Sequence, residues 1–270
     1  MDWPLIRLVY RNLYPGMPIT IQYCSDLHLE MPLNAQLIRK YPLQVSGTIL
    51  ILAGDIVPFT VMDQHEDFFD LVSANYEQVY WVPGNHEYYH SDIAQRSGIV
   101  HEQIRSNVRL VNNVSVLHGE VELIFSTLWS NINPVYEWQI ERAMSDFHLI
   151  KYNGCRYSIP VYNELHKQCL EFIQQTLAVS EAKYKVVVTH HVPTLMNYPP
   201  KYIGDILNQA FAAELQDLIA ASDVHSWIYG HHHSNVFDFK IGSTTLRTNQ
   251  LGYVKHGEHT SFDKSRVVTI

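Results

Sequence analysis

The sequence predicts an α/β layered domain, and two observations carry this prediction. Short apolar runs rich in β-branched residues alternate along the chain with segments whose apolar residues recur at helical spacing. Several of the short runs, such as residues 48–53, are apolar on both faces. That composition is typical of central strands that lie between two other layers.

Seven segments have the length and composition of strands, and three others are weaker candidates. The stronger seven are residues 19–24, 48–53, 78–82, 121–127, 185–189, 225–229 and 244–248. The weaker three are residues 114–117, 236–239 and 266–270. A helix is predicted at residues 161–178, because its apolar residues form one stripe at spacings of three and four. Further helices are predicted at residues 63–74, 91–105 and 208–220.

The domain prediction follows from length and composition. A chain of 270 residues allows one or two domains at roughly 150 residues each, and its 46% hydrophobic content excludes wholesale disorder. We interpret residues 1–16, which precede the first strand, as an N-terminal extension that is dispensable for activity. Residues 17–270 are predicted to form a single domain. Within it, residues 130–160 lack a regular period and are predicted to form a cap-like insertion with a short helix near residues 138–144.

Charge and cysteine content limit the partners. The chain has 19 Lys and Arg against 27 Asp and Glu, a formal net charge of −8, which argues against a general nucleic-acid binder. No apolar run approaches the ~18 residues of a membrane span. The first residues do not have the pattern of a signal peptide, and the three cysteines lack metal-type or disulfide-type spacing. We therefore predict a soluble cytoplasmic protein with reduced thiols and no membrane contact, and the oligomeric state stays open.

Polar residues follow five of the predicted strands at the point where each strand ends. They are Asp26 and His28, then Asp55, then Asn85 with His86 and Glu87, then His190 and His191, and finally His231, His232 and His233. Ligands of open α/β sheets bind at the carboxyl ends of strands, so these five ends are expected to meet at one crevice. In three of them a glycine shortly before the polar residue lets the backbone approach closely.

The residue types predict a metal site with two ions. Asp, Asn and His offer oxygen and imidazole donors without a thiolate, which suits Mn, Fe, Zn or Co better than calcium or an iron–sulfur cluster. Seven candidate ligands are too many for one tetrahedral ion but suit two ions that share one ligand. They are Asp26, His28, Asp55, Asn85, His190, His231 and His233. Alternation along extended backbone would turn Leu27 and His232 away from the ligands on either side of them.

The pattern resembles the calcineurin-like metallophosphoesterase superfamily, and in particular its small bacterial phosphodiesterases. The five motifs of that superfamily occur in order as Asp26-Leu27-His28, Gly54-Asp55, Gly84-Asn85-His86-Glu87, His190 and Gly230-His231-His232-His233. The resemblance implies a four-layer β-sandwich of two mixed sheets flanked by helices, which is α+β by strict class. It thereby replaces the simple parallel sheet that the strand pattern alone suggests.

The resemblance also implies a role for each residue. Asp26, His28, Asp55 and His233 would hold one ion, and Asp55, Asn85, His190 and His231 would hold the other, with Asp55 bridging. A hydroxide between the two divalent or trivalent ions would attack the phosphorus, and His86 would be the general acid that protonates the leaving group. Glu87 would orient a ligand or hold the loop.

The substrate class is argued from a missing residue. Phosphoprotein phosphatases of this superfamily carry an Asp-Arg-Gly signature after Gly-Asp, whereas Gly54-Asp55 is followed by Ile56-Val57-Pro58-Phe59. The lack of an arginine beside the motifs favours a small phosphodiester substrate, with a phosphomonoester as the alternative. A non-catalytic scaffold and a metal-buffering protein are two further alternatives. The complete ligand set and the additional His86 favour an enzyme, and we interpret the other histidines and Asp146-Phe147-His148 as structural.

Overall fold

Two mixed β-sheets form the centre of the molecule, for which a computed structural model describes residues 5–10 and 18–270. The strands of these described residues are Arg7–Tyr10 (β1), Thr20–Cys24 (β2), Ile49–Ala53 (β3), Gln78–Val82 (β4), Val100–Arg105 (β5), Val108–Asn112 (β6), Val114–His118 (β7), Val121–Ser126 (β8), Lys151–Tyr152 (β9), Cys155–Arg156 (β10), Tyr184–Thr189 (β11), Ser226–Tyr229 (β12), Phe239–Ile241 (β13), Thr244–Thr248 (β14) and Val267–Thr269 (β15).

One sheet has six strands in the order β15-β2-β3-β4-β6-β5, and its four central strands are parallel. The other has seven strands in the order β1-β7-β8-β11-β12-β14-β13, and strands β8, β11, β12 and β14 are parallel within it. Strands β9 and β10 form a separate hairpin. Because the strands that precede the polar motifs are parallel to their neighbours, their carboxyl ends reach the same edge of each sheet.

Helices cover the outer faces of both sheets. The α-helices of the described residues are Pro32–Lys40 (α1), Glu66–Asn75 (α2), Glu137–Ala143 (α3), Asp146–Leu149 (α4), Ile159–Val179 (α5), Asn208–Phe211 (α6) and Gln216–Ala221 (α7). Short 3-10 helices occupy Met62–His65, His86–Tyr88, Ile93–Gln95, Pro134–Tyr136, Pro200–Tyr202, Val254–His256 and Glu258–Ser261. None of the helices within residues 5–10 and 18–270 has both the length and the apolar composition that crossing a bilayer requires.

The alternation of side chains along each strand builds the layers. In β3, Ile49 and Ile51 pack between the two sheets, whereas Leu50 and Leu52 pack against the helices of the outer layer. Strand β11 does the same in the other sheet, where Val187 faces the outer layer that contains α5. The predicted four-layer sandwich of two mixed sheets is therefore confirmed.

Two predicted helices are wrong. Residues 91–105 form no α-helix. A 3-10 turn at Ile93–Gln95 is followed by Gly98 in a left-handed conformation (φ +72°), and strand β5 then pairs antiparallel with β6. Residues 208–220 form two short helices rather than one, because Ala212 leaves the helix to form a β-bridge with Val192. The short helix predicted near residues 138–144 is confirmed as α3.

Part of the predicted N-terminal extension has a place in the fold. Strand β1 pairs in parallel with β7 and forms the edge of the seven-stranded sheet. Arg7 also forms an ion pair with the buried Glu122 at 3.0 Å. Residues 1–4 and 11–17 lie outside the described residues, so the domain start at residue 17 and the dispensability of residues 1–16 stay predictions.

Candidate metal centre

The structure brings all seven candidate ligands together at the carboxyl ends of five strands. They form two groups whose ligand atoms lie within 4.8 Å of one another, apart from the amide of Asn85, which contacts the second group. We name Asp26, His28, Asp55 and His233 the first cluster. The second cluster consists of Asp55, Asn85, His190 and His231, so Asp55 belongs to both.

Asp55 turns one carboxylate oxygen towards each cluster. Its Oδ2 lies 3.8 Å from Nε2 of His28, and its Oδ1 lies 3.4 Å from Nε2 of His190. Asp55 is 1% exposed and follows β3 after Gly54, between the two other groups of ligands. A carboxylate in this position can bind two cations at once.

In the first cluster, Nε2 of His28 lies 2.9 Å from Nε2 of His233, and the latter lies 3.4 Å from Oδ1 of Asp26. In the second cluster, Nε2 of His190 lies 3.1 Å from Nδ1 of His231 and 3.2 Å from Oδ1 of Asn85. The side-chain amide of Asn85 donates to the buried Asp146 at 2.9 Å, which turns its oxygen towards His190.

The outer ring nitrogen of each histidine ligand faces an acceptor. His28 and His233 face Glu30 and Glu258 through Nδ1, at 3.2 and 2.9 Å. His190 faces the carbonyl of Ala53 at 3.0 Å, and His231 faces the carbonyl of Ala210 at 3.4 Å. If each outer nitrogen carries the ring proton, each inner nitrogen presents a lone pair to its cluster. Lone pairs that converge from several buried rings and carboxylates fit metal cations.

The charge balance of the clusters agrees with this fit. Burial lowers the pKa of His190 and His233, but nearby carboxylates outweigh burial and raise these pKa values to about 9 and about 10. The carboxylates are Asp55 for His190, and Asp26 and Glu258 for His233. Burial lowers the pKa of the other two ligand histidines, His28 and His231, and favours their neutral form. A bound cation can take the place of the protons that His190 and His233 favour.

The backbone of the ligands is unusual. Five of the seven have a positive φ, namely Asp26, His28, Asp55, His231 and His233, with values from 45° to 82°. Non-glycine residues rarely adopt this conformation, which costs about 1–3 kcal/mol each and clusters at functional sites. The expectation that alternation along extended backbone aligns Asp26 with His28 is wrong in its geometry, although Leu27 does turn into the apolar core.

Three glycines leave room for the ligands. A Cβ on Gly84 would lie 2.2 Å from Oδ1 of Asp55, and one on Gly54 would lie 2.2 Å from Nδ1 of His190. A Cβ on Gly230 would lie 2.6 Å from Oδ2 of Asp26. Any larger residue at these strand ends would displace a candidate ligand.

His86 stands beside the clusters. Its Nδ1 lies 3.1 Å from Oε1 of Glu30, the same oxygen that His28 contacts, and its Nε2 lies 3.4 Å from the hydroxyl of Tyr253. Burial lowers the pKa of His86, but the carboxylates of Asp55 and Glu30 outweigh burial and raise it. The two carboxylates therefore favour the protonated form of the ring, which a proton donor needs.

Glu87 holds the backbone around the ligands. Its carboxylate accepts hydrogen bonds from the backbone N–H groups of Asp55, Ile56 and Gly84 and from the indole of Trp81, at 2.6 to 3.0 Å. Burial and the charge of Asp55 raise the pKa of Glu87 to about 7. Glu87 thus ties the end of β4 to the end of β3.

Four residues of the site were not identified from the sequence. Glu30 follows His28 by two positions, which is only a weak indication in the sequence of a role in the site. Burial raises the pKa of Glu30, but hydrogen bonds from His28 and His86 outweigh burial and lower the pKa to about 2. Asp146 is expected from the sequence to have a structural role, yet its carboxylate orients Asn85. Tyr253 and Glu258 lie some 20 residues beyond the last motif, and no sequence signal marks them.

The two histidines that adjoin ligands, His191 and His232, do not join the clusters. The His191 ring packs on Trp129, with ring centroids 5.0 Å apart, and lies beneath His231. His232 contacts the side chain of Gln250 at 3.0 Å. His148 is exposed and contacts the carbonyl of Arg142.

The chain is similar to known proteins in sequence and in fold. The chain is 32% identical over 261 residues to "Uncharacterized protein L509" of Acanthamoeba polyphaga mimivirus, which covers 86% of this chain and 91% of that protein. The fold of this chain is similar to that of phosphopantetheinyl hydrolase from Mycobacterium tuberculosis in its crystal structure, with a TM-score of 0.67 at 15% identity. That similarity covers 94% of this chain and 96% of the hydrolase.

The family comparison covers most of the chain and all of the candidate ligands. The model of the calcineurin-like phosphoesterase family matches residues 19–235, a range that begins just before β2 and ends just after His233. The chain therefore belongs to the calcineurin-like phosphoesterase family.

Proposed function

We propose that this phosphoesterase binds two metal ions and hydrolyses a small phosphodiester. The observation that carries the proposal is the pair of ligand clusters that share Asp55, with the additional His86 beside them. The first cluster would hold one ion and the second cluster the other, with Mn, Fe, Zn or Co as candidates. The chemistry that two ions supply when bound is activation of water and stabilisation of charge on the phosphoryl oxygens.

His86 is the proton donor in this proposal. Its Nδ1 contacts Glu30, which keeps the ring in place, so that Nε2, 3.4 Å from the hydroxyl of Tyr253, is the nitrogen that would face a substrate. Protonation of the leaving oxygen by such a group contributes typically ~10²–10⁴-fold to the rate. Glu30 does not touch the reacting atoms; it positions both His86 and His28 through one carboxylate oxygen.

The charge around the clusters supports a diester. Asp26 and Asp55 are candidate ligands, and Glu30 and Glu258 contact histidines of the first cluster. These four carboxylates offset the formal charge of two divalent ions. A strongly cationic site favours a phosphomonoester, which carries two negative charges. A site close to neutral reduces that preference and suits a phosphodiester, which carries one. The phosphomonoesterase remains the second candidate.

The proposal is tested by measuring hydrolysis of bis(p-nitrophenyl) phosphate and of p-nitrophenyl phosphate by protein that has been stripped with a chelator and reloaded with Mn²⁺. We expect no turnover after stripping, recovery on reloading, and faster cleavage of the diester. Faster cleavage of the monoester would overturn the diester assignment and keep the phosphoesterase. Activity that survives complete removal of metal would overturn the proposed mechanism.

A further inference from the structure

The segment after β14 closes one side of the site, although it lies beyond residues 19–235 of the family match. The backbone N–H groups of Leu251 and Gly252 donate to the carbonyls of Ser25 and Asp26, both at 3.1 Å. Asn34 at the start of α1 donates to the carbonyl of Gly252 at 2.8 Å. The segment is therefore fastened to the strand end that carries the first motif.

Tyr253 is held against the first cluster by a shared partner. Oε2 of Glu258 accepts from the backbone N–H of Tyr253 at 2.6 Å and lies 2.9 Å from Nδ1 of His233. The tyrosine ring packs on the rings of His28 and His233, with centroids 4.7 and 4.6 Å apart. The backbone hydrogen bond to Glu258 and the packing on His28 and His233 together hold the tyrosine ring in a defined position.

The hydroxyl of Tyr253 lies next to the reactive nitrogen of His86. The distance to Nε2 is 3.4 Å, which is long for a hydrogen bond, and Nδ1 of the same ring already faces Glu30. Tyr253 as a whole is half-buried. A phenol is protonated at neutral pH and can donate a hydrogen bond.

We propose that Tyr253 is a substrate-binding residue whose phenolic O–H donates a hydrogen bond to an oxygen of the phosphoryl group, beside Nε2 of His86. The ion pairs of His28, His86 and His233 with residues outside the two clusters are to the carboxylates of Glu30 and Glu258, and the phenol of Tyr253 adds a neutral hydrogen-bond donor beside them. This inference rests on the proposed function and identifies a substrate contact within it.

The test compares Tyr253→Phe with the wild type by calorimetric binding of inorganic phosphate to Mn²⁺-loaded protein and by kcat/KM for bis(p-nitrophenyl) phosphate. The substitution removes one oxygen and keeps the ring packing. We expect an unchanged ion content, about tenfold weaker phosphate binding and a similar fall in kcat/KM, the usual effect of one lost hydrogen bond. Tyr41→Phe, at an exposed tyrosine after α1, is the control and should match the wild type.

The outcomes separate this inference from the proposed function. Unchanged phosphate affinity in Tyr253→Phe would overturn the inference, even if turnover falls, because that pattern would mean that the hydroxyl only positions His86. Wild-type protein that binds no phosphate would overturn it too. Wild-type protein that binds phosphate but cleaves neither ester would overturn the proposed function alone, and the affinity of Tyr253→Phe would still decide the role of the hydroxyl.

Discussion

At the scale of single residues, identity and spacing predicted which side chains meet, but the backbone that brings them together was not predictable. Asp26 and His28 converge because both adopt a left-handed φ, not because an extended strand aligns them. No local pattern marks such a conformation in a residue other than glycine, because the strain is compensated by contacts elsewhere in the fold. Glu30 could not be identified from local sequence either, because its role depends on a contact with His86, which is distant in the sequence.

His86 gives the residue-scale prediction. We expect His86→Ala to keep the ion content of the wild type, because its ring nitrogens contact Glu30 and Tyr253 rather than a cluster. Its turnover should fall by about 10²–10⁴-fold, most strongly for esters with poor leaving groups, since these need the proton donor. The measurement is hydrolysis of a series of aryl diesters with parallel metal analysis.

His101→Ala is the control for this substitution, because His101 is exposed on the edge strand β5. It should retain the activity and the ion content of the wild type. If His86→Ala loses its ions, His86 is a ligand and its assignment as proton donor is wrong.

At the scale of elements, the central strands were predictable and the irregular connections were not. Strands β3, β4 and β11 are apolar on both faces and were identified within one residue of their observed bounds. The helix prediction at residues 91–105 is wrong because this range contains the edge strand β5. Many of its side chains are half-exposed, so its sequence shows only weak alternation of polar and apolar residues. The break between α6 and α7 could not be predicted from local sequence, because it depends on the β-bridge between Ala212 and Val192, which is distant in the sequence.

The strand ends give the element-scale prediction. We expect Gly84→Ala to bind fewer than two ions and to lose activity by about 10²-fold, because its Cβ would lie 2.2 Å from Oδ1 of Asp55 and 2.7 Å from Nε2 of His190. The measurement combines metal analysis with a thermal unfolding curve, which should show that the fold is retained.

The matched control is Gly154→Ala, in the turn between β9 and β10, where nothing lies within 4 Å of an added Cβ. It should keep both ions despite the cost of its positive φ. If Gly84→Ala keeps both ions and full activity, the ends of β3 and β4 do not need the close approach that the structure shows.

At the scale of the whole molecule, the sequence motifs predicted the site but not everything that encloses it. Five strand ends from two sheets supply the seven candidate ligands, and this arrangement could be foreseen from the order of the motifs. The position of Tyr253 and Glu258 at one side of the site could not be foreseen, because it depends on how the segment after β14 packs against the end of β2. Residues within the segment 130–160 also reach the site through Asp146.

The central claim is that two ions share Asp55, and the most direct test is the metal content of Asp55→Asn after reloading with Mn²⁺. We expect about two ions per chain in the wild type and loss of occupancy at both positions in the variant, because the carboxylate faces both clusters. Asp217→Asn, at an exposed position on α7, should retain two ions. Two ions per chain in Asp55→Asn would contradict the shared site.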